Sequence, residues 1–181
     1  MNRLIGLLLL LAGLAYPFAV YFGLQHFSPA VFAILLGILW LARALSPGAR
    51  PYQRWVAVPI LAFCLWLAVV NETQLLRWYP VLINLTLLGV FGCSLIRGMP
   101  LIERLARLRE PDLPQHAVRY TRRVTEVWTL FFLFNLTATC ALALWAPLSW
   151  WALYTGLVAY VLMGLLFAGE WLVRQRVRGQ A

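Results

Sequence analysis

Apolar residues run in long stretches along this chain, and the polar residues are concentrated in the segments between them. Most of the stretches approach the ~20 residues that a helix needs to cross ~30 Å of hydrocarbon. The pattern therefore predicts membrane-spanning helices. Six stretches can be marked, at Leu4–Leu24, Ala30–Leu45, Trp55–Val70, Trp78–Ile96, Val127–Ala146 and Trp150–Val173.

The second and third stretches decide how many times the chain crosses. Each has only 16 residues, which as a helix is ~24 Å long at 1.5 Å per residue. Both are marginal spans, so five spans with a shallow hairpin is the competing arrangement. We predict an all-α, polytopic membrane helical bundle with six transmembrane helices, five being the alternative, that forms a single integral membrane domain over residues 1–181.

Composition agrees with a membrane location. The chain is 63% hydrophobic and 12% charged, and its mean hydropathy is +0.80, far from the average of soluble domains. All its basic side chains are arginine, and the formal net charge is +9. In a soluble protein this charge would indicate a nucleic-acid partner, but a membrane explains it here and no nucleic acid is predicted.

The arginines predict the orientation. If all six stretches cross and both termini are cytoplasmic, 14 of the 15 arginines lie on the inner side. Arg77, in the loop Asn71–Arg77, is the single arginine left outside. Positively charged residues stay on the cytoplasmic side during insertion, so this asymmetry favours six spans with both termini inside.

The longest polar segment, Ile96–Glu126, separates the fourth and fifth stretches and holds seven arginines. Pro100 suits the first turn of a helix. After it, four leucine and isoleucine residues fall on one face, and the charged residues, Glu103 among them, fall elsewhere. This pattern predicts a short cytoplasmic interfacial amphipathic helix. The two prolines in Glu110–Pro114 end it, and we expect a new helix from about Gln115.

The same segment supplies the candidate binding residues. Its arginines can reach anionic lipid headgroups, at about 1 kcal/mol each near the surface, or dock an acidic carrier protein. Glu126 can pair with Arg122 or Arg123 at helical spacing. The candidate lipid or partner contacts are Arg104, Arg107, Arg119, Arg122, Arg123 and Glu126.

Polar side chains are rare inside the stretches. Asn84, Asn135 and Thr139 are the intramembrane candidates. Hydrogen bonds between helices explain them, and a polar pocket for a lipid or acyl headgroup is the alternative. Glu170 lies at a cytoplasmic end, four residues before Arg174, which can neutralise it.

Catalytic motifs are not found. The chain has no glycine-rich phosphate loop, no His-Glu metal pattern and no nucleophile elbow. Cys64, Cys93 and Cys140 are isolated within apolar stretches, without the paired spacing of zinc or redox sites. We expect no cofactor and no metal, and we favour a non-enzymatic role.

Four segments carry a resemblance to known sequences: Tyr16-Pro17 to Phe27-Ser28-Pro29, LIERLARLREPDLP, VRYTRRVTEVWTLFF and LMGLLFAGEWLVR. They resemble a family of uncharacterised bacterial inner-membrane proteins whose genes commonly accompany clusters for aryl polyene or related acyl-chain lipids. A more distant similarity, through Pro100-Leu101-Ile102, Arg104 and Trp128-x-x-Phe131-Phe132, is to the intracellular septation protein A family. This chain departs from that family at Gly98-Met99, where basic residues are usual.

The resemblance implies a place in the bacterial inner membrane near acyl-lipid biosynthesis or envelope assembly. Our leading hypothesis is an accessory or scaffold protein that docks acyl carrier protein or acyl-lipid biosynthetic enzymes through the basic loop. A small lipid-handling transporter or flippase subunit is the alternative. A cell-division or envelope scaffold is a third hypothesis.

The orientation is open to a direct test. A tag at either terminus is expected to be unreachable from the periplasm of intact cells, because the flanking arginines hold both ends inside. Labelling of cysteines placed in each loop separates five spans from six. A terminus that reacts with an impermeant reagent from outside would contradict the arrangement.

Overall fold

The computed structural model describes residue 11 and residues 15–24, 26–46, 51–108 and 110–178, with side chains described except at 51–53 and 176–178. Helices joined by short turns make up this part of the chain, and no strand occurs in it. The predicted all-α class is therefore confirmed.

Residues 15–23 are helical and precede eight α-helices in the described residues. These are α1 (Pro29–Leu45), α2 (Pro51–Val70), α3 (Thr73–Leu76), α4 (Tyr79–Ile96), α5 (Leu101–Arg107), α6 (Gln115–Trp145), α7 (Leu148–Leu153) and α8 (Ala159–Arg178), with a π-helical turn at Tyr154–Val158 between the last two.

Three helical segments in the described residues are long and apolar enough to cross a membrane: Thr73–Ile96, Gln115–Trp145 and Leu148–Gln175. They contain the predicted fourth and sixth spans, and all of the predicted fifth span except Ala146. Helices α1 and Arg54–Val70 of α2 are apolar but shorter, which matches the marginal lengths of the second and third stretches. Most of the first stretch lies outside the described residues, so the six-span count stays a prediction.

Two compact units make up the chain. The first consists of residues 1–82 and 139–162, and the second of residues 83–138 and 163–181. In the first unit, α1 packs against α2. The buried residues of α2 recur at intervals of three and four, which is the spacing of one helical face; they are Ala57, Ile60, Cys64 and Leu67.

Two small residues of α1 that are four positions apart, Ala33 and Gly37, lie where α1 meets α2, a spacing that lets helix backbones approach closely. Ala33 is 1% exposed, and a Cβ atom added at Gly37 would lie 3.6 Å from the Cβ of Cys64. The helical segment 15–23 differs: Ala15 and Ala19 are exposed there, and Tyr16 and Val20 are buried. Tyr16 and Val20 therefore make contacts of that segment, and Gly23 lies against Phe32 of α1, whose ring would be 2.8 Å from an added Cβ atom.

The chain segments that the orientation places outside meet at one end of the first unit. Asn71 adopts a left-handed conformation (φ 54°) just after α2, a role that asparagine tolerates. Its Oδ1 accepts a hydrogen bond from the backbone N–H of Ala30 in the first turn of α1, at 2.9 Å. Tyr16 Oη donates to the backbone oxygen of Leu76 at 2.7 Å, and Trp151 Nε1 donates to that of Arg77 at 3.2 Å.

Arg77 itself is 8% exposed and has no carboxylate partner in the described residues. Its Nη2 donates to the backbone oxygens of Leu142 and Ala146, at the C-terminal end of α6. These carbonyls carry the negative end of the helix dipole, so a cation is favourable there. The single arginine predicted outside is thus a buried cap of the longest helix.

We predict that Arg77→Met lowers the free energy of unfolding by about 1–3 kcal/mol, because backbone oxygens at the end of α6 lose their donor while remaining buried. Reversible unfolding of the detergent-solubilised protein measures this change. Arg119→Met is the matched control, since Arg119 is exposed. Equal stability of the two variants would contradict the capping role.

Candidate functional site

Aromatic rings form the core of the second unit. Trp128 of α6 is 6% exposed and Phe132 is 4% exposed. The ring of Phe167 of α8 lies 4.6 Å from that of Trp128, centroid to centroid, and Phe91 of α4 lies 5.1 Å from Phe132. These contacts fix α6 against α4 and α8 within this unit, and they position the charged turns at the start of α6.

The predicted short helix after Pro100 is present as α5, and hydroxyl groups hold its first turn. The backbone N–H of Leu101 donates to Ser94 Oγ at 3.0 Å, and that of Ile102 donates to Thr125 Oγ1 at 3.4 Å. The first N–H groups of a helix have no partner within it, so these two bonds set the rotation of α5.

That rotation differs from the predicted face in one respect. Glu103 is the buried residue of α5, at 5% exposure, whereas Leu105 and Leu108 are exposed. Glu103 is neutralised by Arg107, whose Nη2 lies 2.8 Å from its Oε1. Arg107 Nη1 also donates to the backbone oxygen of Pro111 at 2.9 Å, so Arg107 ties α5 to the following turn.

Helix α6 begins at Gln115, as predicted. Its 31 residues extend about 46 Å at 1.5 Å per residue, longer than the ~30 Å of hydrocarbon. The first turns therefore extend beyond the apolar stretch that begins at Val127, and they carry Arg119, Arg122 and Arg123.

The candidate contacts on these turns fall on two faces of α6. Arg119, Arg122 and Glu126 follow one another at spacings of three and four, so they share a face. They are exposed, and Arg122 Nε lies 3.3 Å from Glu126 Oε1, the pairing that was predicted. Arg123 lies about 100° around the helix from Arg122, toward Tyr120 and Val127, and Arg119, four residues before Arg123, lies between these two arginines. Arg104 of α5 is exposed as well.

The intramembrane candidates are buried to different degrees. Asn135 is 2% exposed and Thr139 is 1% exposed, while Asn84 is half-buried. Asn135 Nδ2 donates to the backbone oxygen of Phe131, one turn earlier in α6, at 3.4 Å. Asn84 and Asn135 belong to the second unit and Thr139 to the first.

A groove of about 420 Å³ runs between α6 and α8 within the second unit. Helical spacing of three, four and seven places its residues along one face of each helix. From α6 it is lined by Tyr120, Arg123, Val124, Val127 and Trp128, and from α8 by Leu165, Leu166, Gly169, Glu170 and Val173.

Polar groups gather at one end of this groove. The Tyr120 hydroxyl donates to Glu170. Its Oη lies 3.1 Å from the backbone oxygen of Glu170 and 3.1 Å from Glu170 Oε1. Ion pairs within 4 Å in the described residues join Glu103 to Arg107 and Arg122 to Glu126. Arg174, which was expected to neutralise Glu170, forms no ion pair with it within 4 Å. The Tyr120 hydroxyl binds the Glu170 carboxylate instead.

The groove was not predicted from the sequence. Tyr120 and Glu170 are 50 residues apart, and only the packing of α6 on α8 brings them together. One signal was available in each helix: Tyr120, Arg123 and Val127 recur at spacings of three and four, as do Leu166, Gly169 and Val173. Such faces are common in apolar helices, so the spacing alone did not distinguish a groove.

Three long apolar helices and many exposed apolar side chains make this chain a helical membrane protein. Within the described residues, no group of three or more histidine, cysteine, aspartate or glutamate side chains is arranged to hold a metal ion. No protein-family model, no curated protein and no solved structure matches the chain.

We expect Tyr120→Phe to lower the free energy of unfolding by about 1 kcal/mol, because it removes the hydrogen bond that joins α6 to Glu170. Denaturant titration followed by tryptophan fluorescence measures the change. Tyr160→Phe serves as the control, since the Tyr160 hydroxyl makes no hydrogen bond within the described residues. Two variants of equal stability would show that the bond contributes nothing.

Proposed function

We propose that this chain is a non-enzymatic, multi-pass accessory protein of the bacterial inner membrane, which holds acyl-lipid biosynthetic machinery at the cytoplasmic face. The observation that carries the proposal is the exposure of three arginines, Arg104 of α5 and Arg119 and Arg122 of α6, which we call the basic surface. Two of these arginines have no carboxylate within 4 Å in the described residues, and the third pairs only with exposed Glu126.

The proposed topology has six spans with both termini in the cytoplasm. Contacts within each unit support it, because they join segments assigned to the same side. Asn71 with Ala30 and Arg77 with Ala146 join segments near the outer loops. Tyr120 with Glu170 joins the cytoplasmic ends of the fifth and sixth spans.

An acidic carrier protein fits this surface better than a neutral one. Complementary charge steers diffusional encounter and raises the association rate, an effect that salt screens within about 10 Å at 0.1 M. The same arginines attract anionic headgroups of the inner leaflet. The resemblance to proteins that accompany aryl polyene clusters supports acyl carrier protein as the acidic partner, and it makes acyl-lipid biosynthesis or envelope assembly the setting.

The test uses purified acyl carrier protein and the full chain in detergent. We expect a triple variant to bind acyl carrier protein about tenfold more weakly at low salt, since each exposed contact contributes about 0.5 kcal/mol. This variant combines Arg104→Gln, Arg119→Gln and Arg122→Gln. Microscale thermophoresis measures the dissociation constant. The three substitutions leave the groove residue Arg123 unchanged.

The matched control removes three positive charges elsewhere. Arg54, Arg97 and Arg174 are also exposed, and their combined change to glutamine gives the same net charge. We expect this control to bind the carrier protein nearly as tightly as the unaltered chain. If the two triple variants lose affinity equally, or if neither loses any, the basic surface is not a docking site.

A further inference from the structure

We propose that the groove between α6 and α8 is a binding site for a zwitterionic phospholipid whose headgroup carries a phosphate and a primary ammonium, such as phosphatidylethanolamine. One acyl chain occupies the apolar part of the groove. The phosphate binds Arg123, and the ammonium binds Glu170. This site goes beyond the docking role, because neither its ligand nor its geometry depends on a carrier protein.

The dimensions fit part of one acyl chain. Tyr120 and Trp128 are eight residues apart on α6, as are Leu165 and Val173 on α8, so each wall is about 12 Å long. The volume of about 420 Å³ lies within the ~300–1,000 Å³ usual for ligand sites. Most of the lining is apolar. Gly169 has no side chain, so it leaves space on the α8 side of the groove.

The polar end fits a headgroup with both charges. Arg123 presents a guanidinium, which binds phosphate through paired N–H donors. Glu170 keeps acceptor capacity after bonding to Tyr120, since a carboxylate has about four lone-pair sites. Tyr120 also holds that carboxylate in place, at 3.1 Å.

Charge complementarity selects this lipid over its relatives. An anionic headgroup without an ammonium would satisfy Arg123 but leave Glu170 facing a negative ligand. A choline headgroup carries positive charge but has no N–H to donate to the carboxylate. Phosphatidylethanolamine alone among these three satisfies both residues, because it supplies an acceptor for Arg123 and donors for Glu170.

The first experiment blocks the groove with a side chain. A Cβ atom added at Gly169 meets nothing within 4 Å, and Gly169 lines the groove, so Gly169→Leu places a side chain there. Gly164→Leu is the matched control, because Gly164 is on the same helix, is equally open and does not line the groove. Native mass spectrometry of delipidated protein with added phosphatidylethanolamine should show about tenfold weaker binding for Gly169→Leu only.

The second experiment tests the headgroup and does not depend on how Gly169→Leu folds. Phosphatidylethanolamine, phosphatidylglycerol and phosphatidylcholine with identical acyl chains are compared. Glu170→Gln is expected to abolish an about tenfold preference for phosphatidylethanolamine over phosphatidylglycerol. Arg123→Gln should weaken binding of all three lipids, whereas Arg54→Gln, which removes an exposed arginine that does not line the groove, should change none of them.

The results of these two experiments support or overturn the lipid site. Equal binding of the three lipids by the unaltered chain, or equal binding by the two leucine variants, would mean ordinary lipid contact and would overturn the site. A preference that survives Glu170→Gln would overturn the headgroup assignment. Loss of carrier-protein binding in the triple arginine variant is a separate result, because that variant retains Arg123, Tyr120 and Glu170.

Discussion

The structure depends on an apolar solvent around its helices. Large apolar side chains remain exposed along the long helices; examples are Leu65 (69%), Val69 (76%), Leu130 (65%) and Leu165 (64%). Burial of apolar area stabilises by about 25 cal/mol per Å², and the fold alone leaves this area open. Lipid covers it instead, which explains why the chain holds so little charge outside the ends of its helices. Backbone groups in hydrocarbon must also be satisfied within the chain, and helices achieve this.

Polar groups that are buried within the helices need partners in the chain itself. Arg77 meets this need through its Nη2, which donates to backbone oxygens at the end of α6, while its buried Nε has no partner in the described residues. Glu103 meets it with Arg107. Thr125 Oγ1 accepts from the N–H of Ile102 and donates to the oxygen of Thr121 at 2.9 Å. Each solution also orients an element: Arg77 caps α6, and the hydroxyl groups set the rotation of α5. The few polar residues thus position the helices, whereas the abundant apolar residues hold them in the membrane.

Local patterns predicted the helices because each is decided by neighbouring residues. Pro100 and the prolines of Glu110–Pro114 bound α5, and α6 begins at Gln115 as expected. The burial of Arg77 and Glu103 was not predictable, because it depends on which residues of distant segments pack beside them. The same holds for the groove, which needs the relative rotation of α6 and α8. Hydropathy identifies a helix that enters the membrane but says little about which face another helix covers, since lipid and protein are equally apolar neighbours.

The start of α6 shows how helix geometry divides one basic cluster into two. Arg122 and Arg123 are adjacent in sequence, but successive residues of a helix are about 100° apart. Arg122 therefore lies beside Glu126, with which it pairs, while Arg123 lies toward Tyr120 and Val127 and lines the groove. Arg122 is exposed, and its charge acts on a partner at a distance, where salt screens it. Arg123 is exposed as well, but it lines the groove, so it can reach a bound headgroup at contact. The two arginines can thus serve a docking surface and a lipid site separately, and a substitution at one need not disturb the other.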